Sequence, residues 1–260
     1  NFISQASKMA RYLGLVDAGA FVDRRNPEPR LFAMDSTFDP SIGVNSGMLY
    51  LPELPRLPDL PAYSIDDYGA PQRYHLEIWC EKSTMNDVLL PLCSQYDANL
   101  VTGLGEMSVT AALALCNRLR RNRPCRIFYI SDFDPAGQSI PVAVARKIEY
   151  FLSDGGAGMD VQLFPVALTA DQVREYRLPR TPIKESERRA GAFEDRYGAG
   201  AVELDALEAV RPGGLDELLT VELDRYYDHY LRSRTWDAEG ELQRRLTEIE
   251  AEVISAHADE

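Results

Sequence analysis

The sequence has little that would staple it, anchor it or energise it. Four cysteines (Cys80, Cys93, Cys116 and Cys125) occur in 260 residues, with no C-x-x-C pair among them. That excludes a zinc-ribbon spacing and a disulfide framework, and it points to a reduced, intracellular, cytoplasmic setting. Only three histidines occur, His75, His229 and His257, and their wide separation gives no reason to expect a ligand among them. No stretch approaches the roughly 20 apolar residues that a membrane helix needs, so a membrane is not an expected partner. No G-x-x-x-x-G-K-[ST] loop is present, so the chain is not expected to hydrolyse ATP by itself.

Hydrophobic residues make up 45% of the chain, enough for a packed core and too many for bulk disorder. The 41 acidic and 28 basic residues give a net charge of −13, which at first discourages a nucleic-acid partner. The distribution changes that reading. Residues 201–260 hold 16 acidic and 6 basic groups, whereas the preceding 200 residues hold 25 and 22. The body is nearly neutral, and DNA stays open as a partner.

Four segments follow from patterning. Residues 1–25 start with an amphipathic helix, with apolar Phe2, Ala6, Met9, Ala10 and Leu13 on one face and Gly14 as its stop. Residues 26–73 carry eight of the 16 prolines and read as an extended linker or arm, without regular sheet. From residue 74 to about 210, strand patterns at 75–80, 99–102, 126–130 and 161–166 alternate with helical patterns near 84–95, 107–120 and 141–152. That alternation predicts an α/β fold, a parallel Rossmann-like sheet flanked by helices. Residues 211–260 read as an acidic helical tail, with Leu242, Leu246, Ile249 and Val253 on one stripe that docks on the body or on a second subunit.

In an open parallel sheet the working edge lies at the carboxyl ends of the strands. Glu81 follows the first strand there, and Asp132 and Asp134 follow the third. Two aspartates one position apart on a strand-to-helix turn can face one hard cation, and Mg²⁺ takes carboxylate oxygens, waters and phosphate oxygens. Glu81 is a further ligand or a general acid/base. Turn chemistry or helix capping by Asp134 is the commoner role of an Asp-Pro pair. Gly103, Gly105 and Gly137 flank the carboxylates and would let a phosphate backbone come close.

Cys80-Glu81-Lys82, Thr102-Gly103-Leu104-Gly105 and Ser131-Asp132-Phe133-Asp134-Pro135-Ala136-Gly137 together resemble the Toprim domain. The form is that of the topoisomerase VI A subunit and the meiotic double-strand-break protein, with its strand-end "EK", "TGxG" turn and "D-x-DPxG". Val202-Glu203-Leu204-Asp205-Ala206-Leu207 resembles that domain's closing segment, and Arg180-Thr181-Pro182-Ile183-Lys184 its preceding polar segment. The likeness covers about residues 74–210; Phe133 within the D-x-D, Glu106-Met107-Ser108 after the second turn and the acidic tail depart from it. It implies a Toprim-like sheet, with residues 1–25 as the remnant of a winged helix. It also implies a Mg²⁺ site (Mn²⁺ as a substitute) formed by Glu81, Asp132 and Asp134. Lys82, Gly103, Gly105, Arg180 and Lys184 would face DNA.

The chemistry implied is DNA strand breakage and rejoining by transesterification within a homodimer, served by a separate ATPase subunit. The nucleophile would be a tyrosine upstream of Asn1, and a bacterial or archaeal protein of this type would lie on the nucleoid. Tyr12, Tyr50, Tyr63 and Tyr68 are candidates inside the chain, although a structural role is the commoner outcome for each. A metal-dependent Toprim nuclease and a non-catalytic DNA-associated adaptor are the alternatives. The basic run Arg118, Arg120, Arg121, Arg123 and Arg126 lies at the opposite end of the strands and reads as a solvated helix terminus. Arg174, Arg177, Arg180, Lys184, Arg188 and Arg189 form the strip better placed for phosphates. All of this depends on the three carboxylates converging with no basic side chain between them.

Overall fold

The computed structural model describes residues 2–17, 20, 29–32, 41–45, 62–66, 68–103, 109–119, 123–153 and 158–258. Two compact units divide the chain: residues 1–33 with 73–227, and residues 34–72 with 228–260.

The first unit is built on a four-stranded sheet. Its strands are β3 (His75–Cys80), β4 (Asn99–Thr102), β5 (Cys125–Ile130) and β6 (Val161–Ala167), in the order β4-β3-β5-β6 with every pairing parallel. This is the α/β arrangement that the alternating pattern predicts. Parallel strands covered on both faces need apolar residues on both, and β3 and β5 are buried at every position. Leu76, Ile78, Phe128 and Ile130 join one core, to which α2 (Asn86–Gln95), α6 (Ala190–Tyr197), α7 (Asp205–Val210) and α8 (Gly214–Leu223) also contribute. Trp79, Ile127 and Tyr129 join the other, under α3 (Val109–Arg118) and α4 (Pro135–Ser153). The period-2 alternation of a strand sorts the two sets. Helix α1 (Phe2–Tyr12) lies in the same unit, where Arg11 donates to Thr110 Oγ1 (3.2 Å) and Tyr12 packs edge-on against Tyr150. The outer edge of β4 is covered by an antiparallel bridge between Arg30 and Leu100.

The second unit differs from the expected sheet-free arm. Strands β1 (Ser41–Asn45) and β2 (Ala62–Asp66) pair antiparallel, because both stretches are free of the prolines that surround them. The long helix α9 (Leu231–Ala258) belongs to this unit, and Glu250 Oε1 accepts from Tyr63 N (2.7 Å). The acidic tail is therefore not one piece. Leu215, Leu219 and Leu223 bury α8 in the core of the sheet unit. No helix among the described residues is long and apolar enough to cross a membrane.

Candidate acidic site at the carboxyl edge of the sheet

Backbone pairing sets the positions of the acidic side chains. The β3–β5 ladder runs one residue beyond β3, where Glu81 N donates to Ile130 O (3.0 Å). That holds Glu81 beside the turn in which Asp132 and Asp134 follow β5. Asp134 caps α4: its Oδ1 accepts from Gly137 N (2.6 Å), and Pro135 opens the first turn, where a missing N–H costs nothing. Gly137 is required there. A Cβ at this position would lie 2.0 Å from Asp132 O. The chain between Gly200 and Asp205 closes the site, through Phe133 N to Val202 O (2.9 Å), Val202 N to Phe133 O (3.0 Å) and Leu204 N to Asp132 Oδ1 (2.7 Å).

The Glu81 carboxyl feels the charges of both aspartates. Burial, then the charges of Asp132 and Asp134, push the Glu81 carboxyl up to about 7, against the opposing pull of Lys82. Glu81 Oε2 is buried and makes no hydrogen bond among the described residues. Burial also raises Asp132, opposed by the Leu204 N–H and by Lys82. The Cys80 thiol, pushed up to about 12 mainly by burial, is neutral and contributes no thiolate.

Lys82 is the unexpected element. Its ammonium lies 3.1 Å from Asp132 Oδ1 and 3.0 Å from Asp205 Oδ2, and it also pairs with Glu203. The expectation of a carboxylate trio with no basic side chain among them is therefore not met, and a cation at Asp132 would have to compete with this ammonium. Burial alone would lower the Lys82 amine, but its hydrogen bonds to Glu203, Asp205 and Asp132 raise it above its ordinary value. Among the described residues, no three His, Cys, Asp or Glu side chains are grouped to hold a metal ion as they stand. The donor chemistry nonetheless suits a hard divalent cation: crowded carboxylates, one of them holding a proton near neutral pH, and one buried oxygen without a partner among the described residues. The sequence pattern assigns Glu203 and Asp205 no site role; their signal is two acids two positions apart in one segment.

The other expected residues divide. Gly103 is buried at the same edge, with its N–H on Cys80 O (3.2 Å), while Gly105, Tyr50, Arg120 and Arg121 lie outside the described residues. Lys184 is exposed. Arg180, expected to face DNA, directs its guanidinium at the carbonyls of Tyr197 (2.8 Å), Gly198 (3.1 Å), Ala199 (3.2 Å) and Gly200 (2.9 Å). It fastens the end of α6 and the Gly200 turn, a structural task. Tyr12 packs at the far end of α4, about 22 Å along the helix from its first turn at 1.5 Å per residue.

Arg118, expected to be solvated, instead reaches a buried carboxylate. Its Nη2 bonds both oxygens of Glu77 (3.0 and 2.9 Å), which also bonds His75 (2.8 Å) and Trp79 Nε1 (2.7 Å). Arg126 pairs with Asp160 (2.7 Å), and Arg123 donates to Tyr74 O (3.0 Å). These arginines tie the amino ends of the strands together.

No protein-family model matches the chain, and no curated protein matches its sequence.

Proposed function

We propose that the chain is the Toprim-like part of a DNA strand-breaking and rejoining subunit, resembling topoisomerase VI A, with a Mg²⁺ or Mn²⁺ site at Glu81, Asp132 and Asp134. The observation that supports it is the crowding of these carboxylates at the carboxyl ends of neighbouring parallel strands, with a buried Glu81 oxygen that no group among the described residues satisfies. A divalent cation there would neutralise phosphate charge in the transition state. The chain's own residues supply the frame. Asp132 is aligned by the Leu204 N–H and Asp134 by the first turn of α4. Glu81 is either a further ligand, ionised, or a general acid outside the coordination that gives its proton to the leaving oxygen. On this reading a tyrosine hydroxyl gives up its proton to solvent and attacks the phosphorus. Its O–P bond forms as the P–O bond to the leaving sugar oxygen breaks, and that oxygen takes a proton. A homodimer with a separate ATPase subunit carries out the reaction on DNA. Tyr12, remote from the carboxylates of its own chain, is not assigned as that nucleophile.

Incubating the full-length protein with supercoiled DNA and Mg²⁺ tests this. Covalent protein–DNA adducts are expected, falling about a hundredfold or more with Asp132→Ala, the range for losing one electrostatic contact to the transition state. Free DNA ends without adduct would instead mark a hydrolytic nuclease.

Lys82 on Asp132, and Asp134 in use as a helix cap, favour a second reading: a DNA-associated adaptor without catalysis. Under it, Asp132→Ala is harmless in cells, while removal of residues 231–260, which leaves the buried α8 in place, abolishes partner binding.

A further inference from the structure

Asp132 Oδ1 is oversubscribed for a metal ligand. It accepts from Leu204 N (2.7 Å) and from the Lys82 ammonium (3.1 Å). A divalent cation and an ammonium cannot share one carboxylate oxygen without strong repulsion. One of the present partners has to leave if a metal is to take this oxygen. The Leu204 N–H is fixed, because the paired hydrogen bonds between Phe133 and Val202 (2.9 and 3.0 Å) lock its segment to the Asp132 turn. The ammonium is the movable partner, a point charge on a flexible four-carbon stem. Its other two contacts lie on either side of Leu204, at Glu203 and at Asp205 (3.0 Å).

We propose that Glu203 and Asp205 form a berth for Lys82, which occupies Asp132 when metal is absent and withdraws onto these two carboxylates when a divalent cation binds. The inference rests on the metal reading above and deepens it. Lys82 acts as a built-in competitor that balances the acidic edge without metal. Berthed, it presents a positive charge beside the cation, where a phosphate of the DNA backbone is the matching anion. Glu203 and Asp205 are positioning residues that act through Lys82. Their spacing from Asp132 is set by backbone bonds, so the berth stays in place whether Lys82 leans on Asp132 or away from it.

The experiment is Mn²⁺ binding, followed as free Mn²⁺ by electron paramagnetic resonance. It compares the full chain with Lys82→Met, with Glu203→Gln/Asp205→Asn, and with the triple variant, each first checked for an unchanged unfolding transition. Nearby charges shift such equilibria by one to three powers of ten. Lys82→Met should therefore tighten Mn²⁺ about tenfold, and Glu203→Gln/Asp205→Asn should weaken it about tenfold, by returning Lys82 to Asp132. In the triple variant the berth has no occupant, so affinity should match Lys82→Met alone. If the loss from Glu203→Gln/Asp205→Asn persists in full without Lys82, the two acids act only through their field and the berth is overturned. If the full chain binds Mn²⁺ and Lys82→Met changes nothing, the competitor role fails while the metal site stands. If no protein of the four binds Mn²⁺ at millimolar concentration, the metal reading fails and the inference falls with it.

A second readout is independent of any reaction. Acylation of Lys82 by an amine-directed reagent, followed by peptide mass spectrometry, should change rate when Mg²⁺ is added to the full chain. It should be indifferent to Mg²⁺ once Asp132→Asn has removed the contested oxygen. An unchanged rate in the full chain, at Mg²⁺ concentrations that saturate the Mn²⁺ site by competition, counts against the proposal.

Discussion

Two glutamates on one strand and its extension, Glu77 and Glu81, show opposite solutions to a carboxylate placed in a protein. Glu77 is wholly buried, and burial alone would raise it, yet the His75 hydrogen bond, the Arg118 charge and Trp79 hold it below the ordinary value near 4.5. Its stabilising contribution is complete above that ordinary value and is lost as pH falls through the lower folded one. Arg118→Met strands the charge in an apolar interior and should cost about 3–5 kcal/mol. Adding Glu77→Gln should recover part of that loss, as denaturant unfolding at pH 7 would show. Glu81 is displaced the other way, from 4.5 up to about 7. The folded state then keeps a proton that the unfolded state has released, so stability falls as pH rises from about 4.5 to 7 and stays low above it. Glu81→Gln removes that burden. In chelator, it should stabilise the protein by about 1–3 kcal/mol at pH 8 and change little at pH 4, where both states are protonated. Equal stabilisation at both pH values would show that packing, not charge, is responsible.

At the scale of elements, the strand–turn–helix from β5 into α4 joins the fold to the site. Pro141 lies inside α4 and has no N–H for the carbonyl of Gly137, four residues back. The Ser131 hydroxyl donates to that carbonyl (3.2 Å) instead, from the end of β5. This is why α4 starts at Pro135, six residues before the helix start expected from the sequence at Pro141: the deficit is repaired by a side chain remote from the helix pattern. Gly137→Ala should destabilise the protein by at least about 2–3 kcal/mol, the cost of forcing a methyl group onto the Asp132 carbonyl, with a lowered unfolding temperature as the measure. The parallel strands were legible because residues 75–80 and 125–130 are apolar-rich runs bounded by turns, and with them the positions of Glu81, Asp132 and Asp134 just past the strand ends. Lys82 among the acids was not. Its partners, Glu203 and Asp205, are more than 120 positions away in sequence, and the Phe133–Val202 bridge and the Leu204 N–H on Asp132 bring them near. Arg118 was misread for a similar reason: a helix-terminal arginine reads as solvated until the buried carboxylate opposite it is known.

For the whole molecule, the division into two units changes how the acidic tail is understood. Both α8 and α9 carry acidic residues and read as one tail in sequence, but their environments differ. Helix α8 places Leu215, Leu219 and Leu223 in the core with no exposure at all, whereas α9 leaves Trp236 74% exposed and Ile254 52% exposed. Packing against a core, more than intrinsic propensity, is what holds helices of ordinary length in water. The amides of α8 should therefore open only with the sheet unit, while those of α9 open through local fluctuations of the smaller unit. Hydrogen–deuterium exchange at neutral pH should show α9 exchanging at least about a hundredfold faster than residues 214–223, and earlier than β3 and β5, with the ratio unchanged by chelator. Protection of α9 equal to that of α8 would mean that one cooperative unit spans both helices, and the two-unit description would then be wrong.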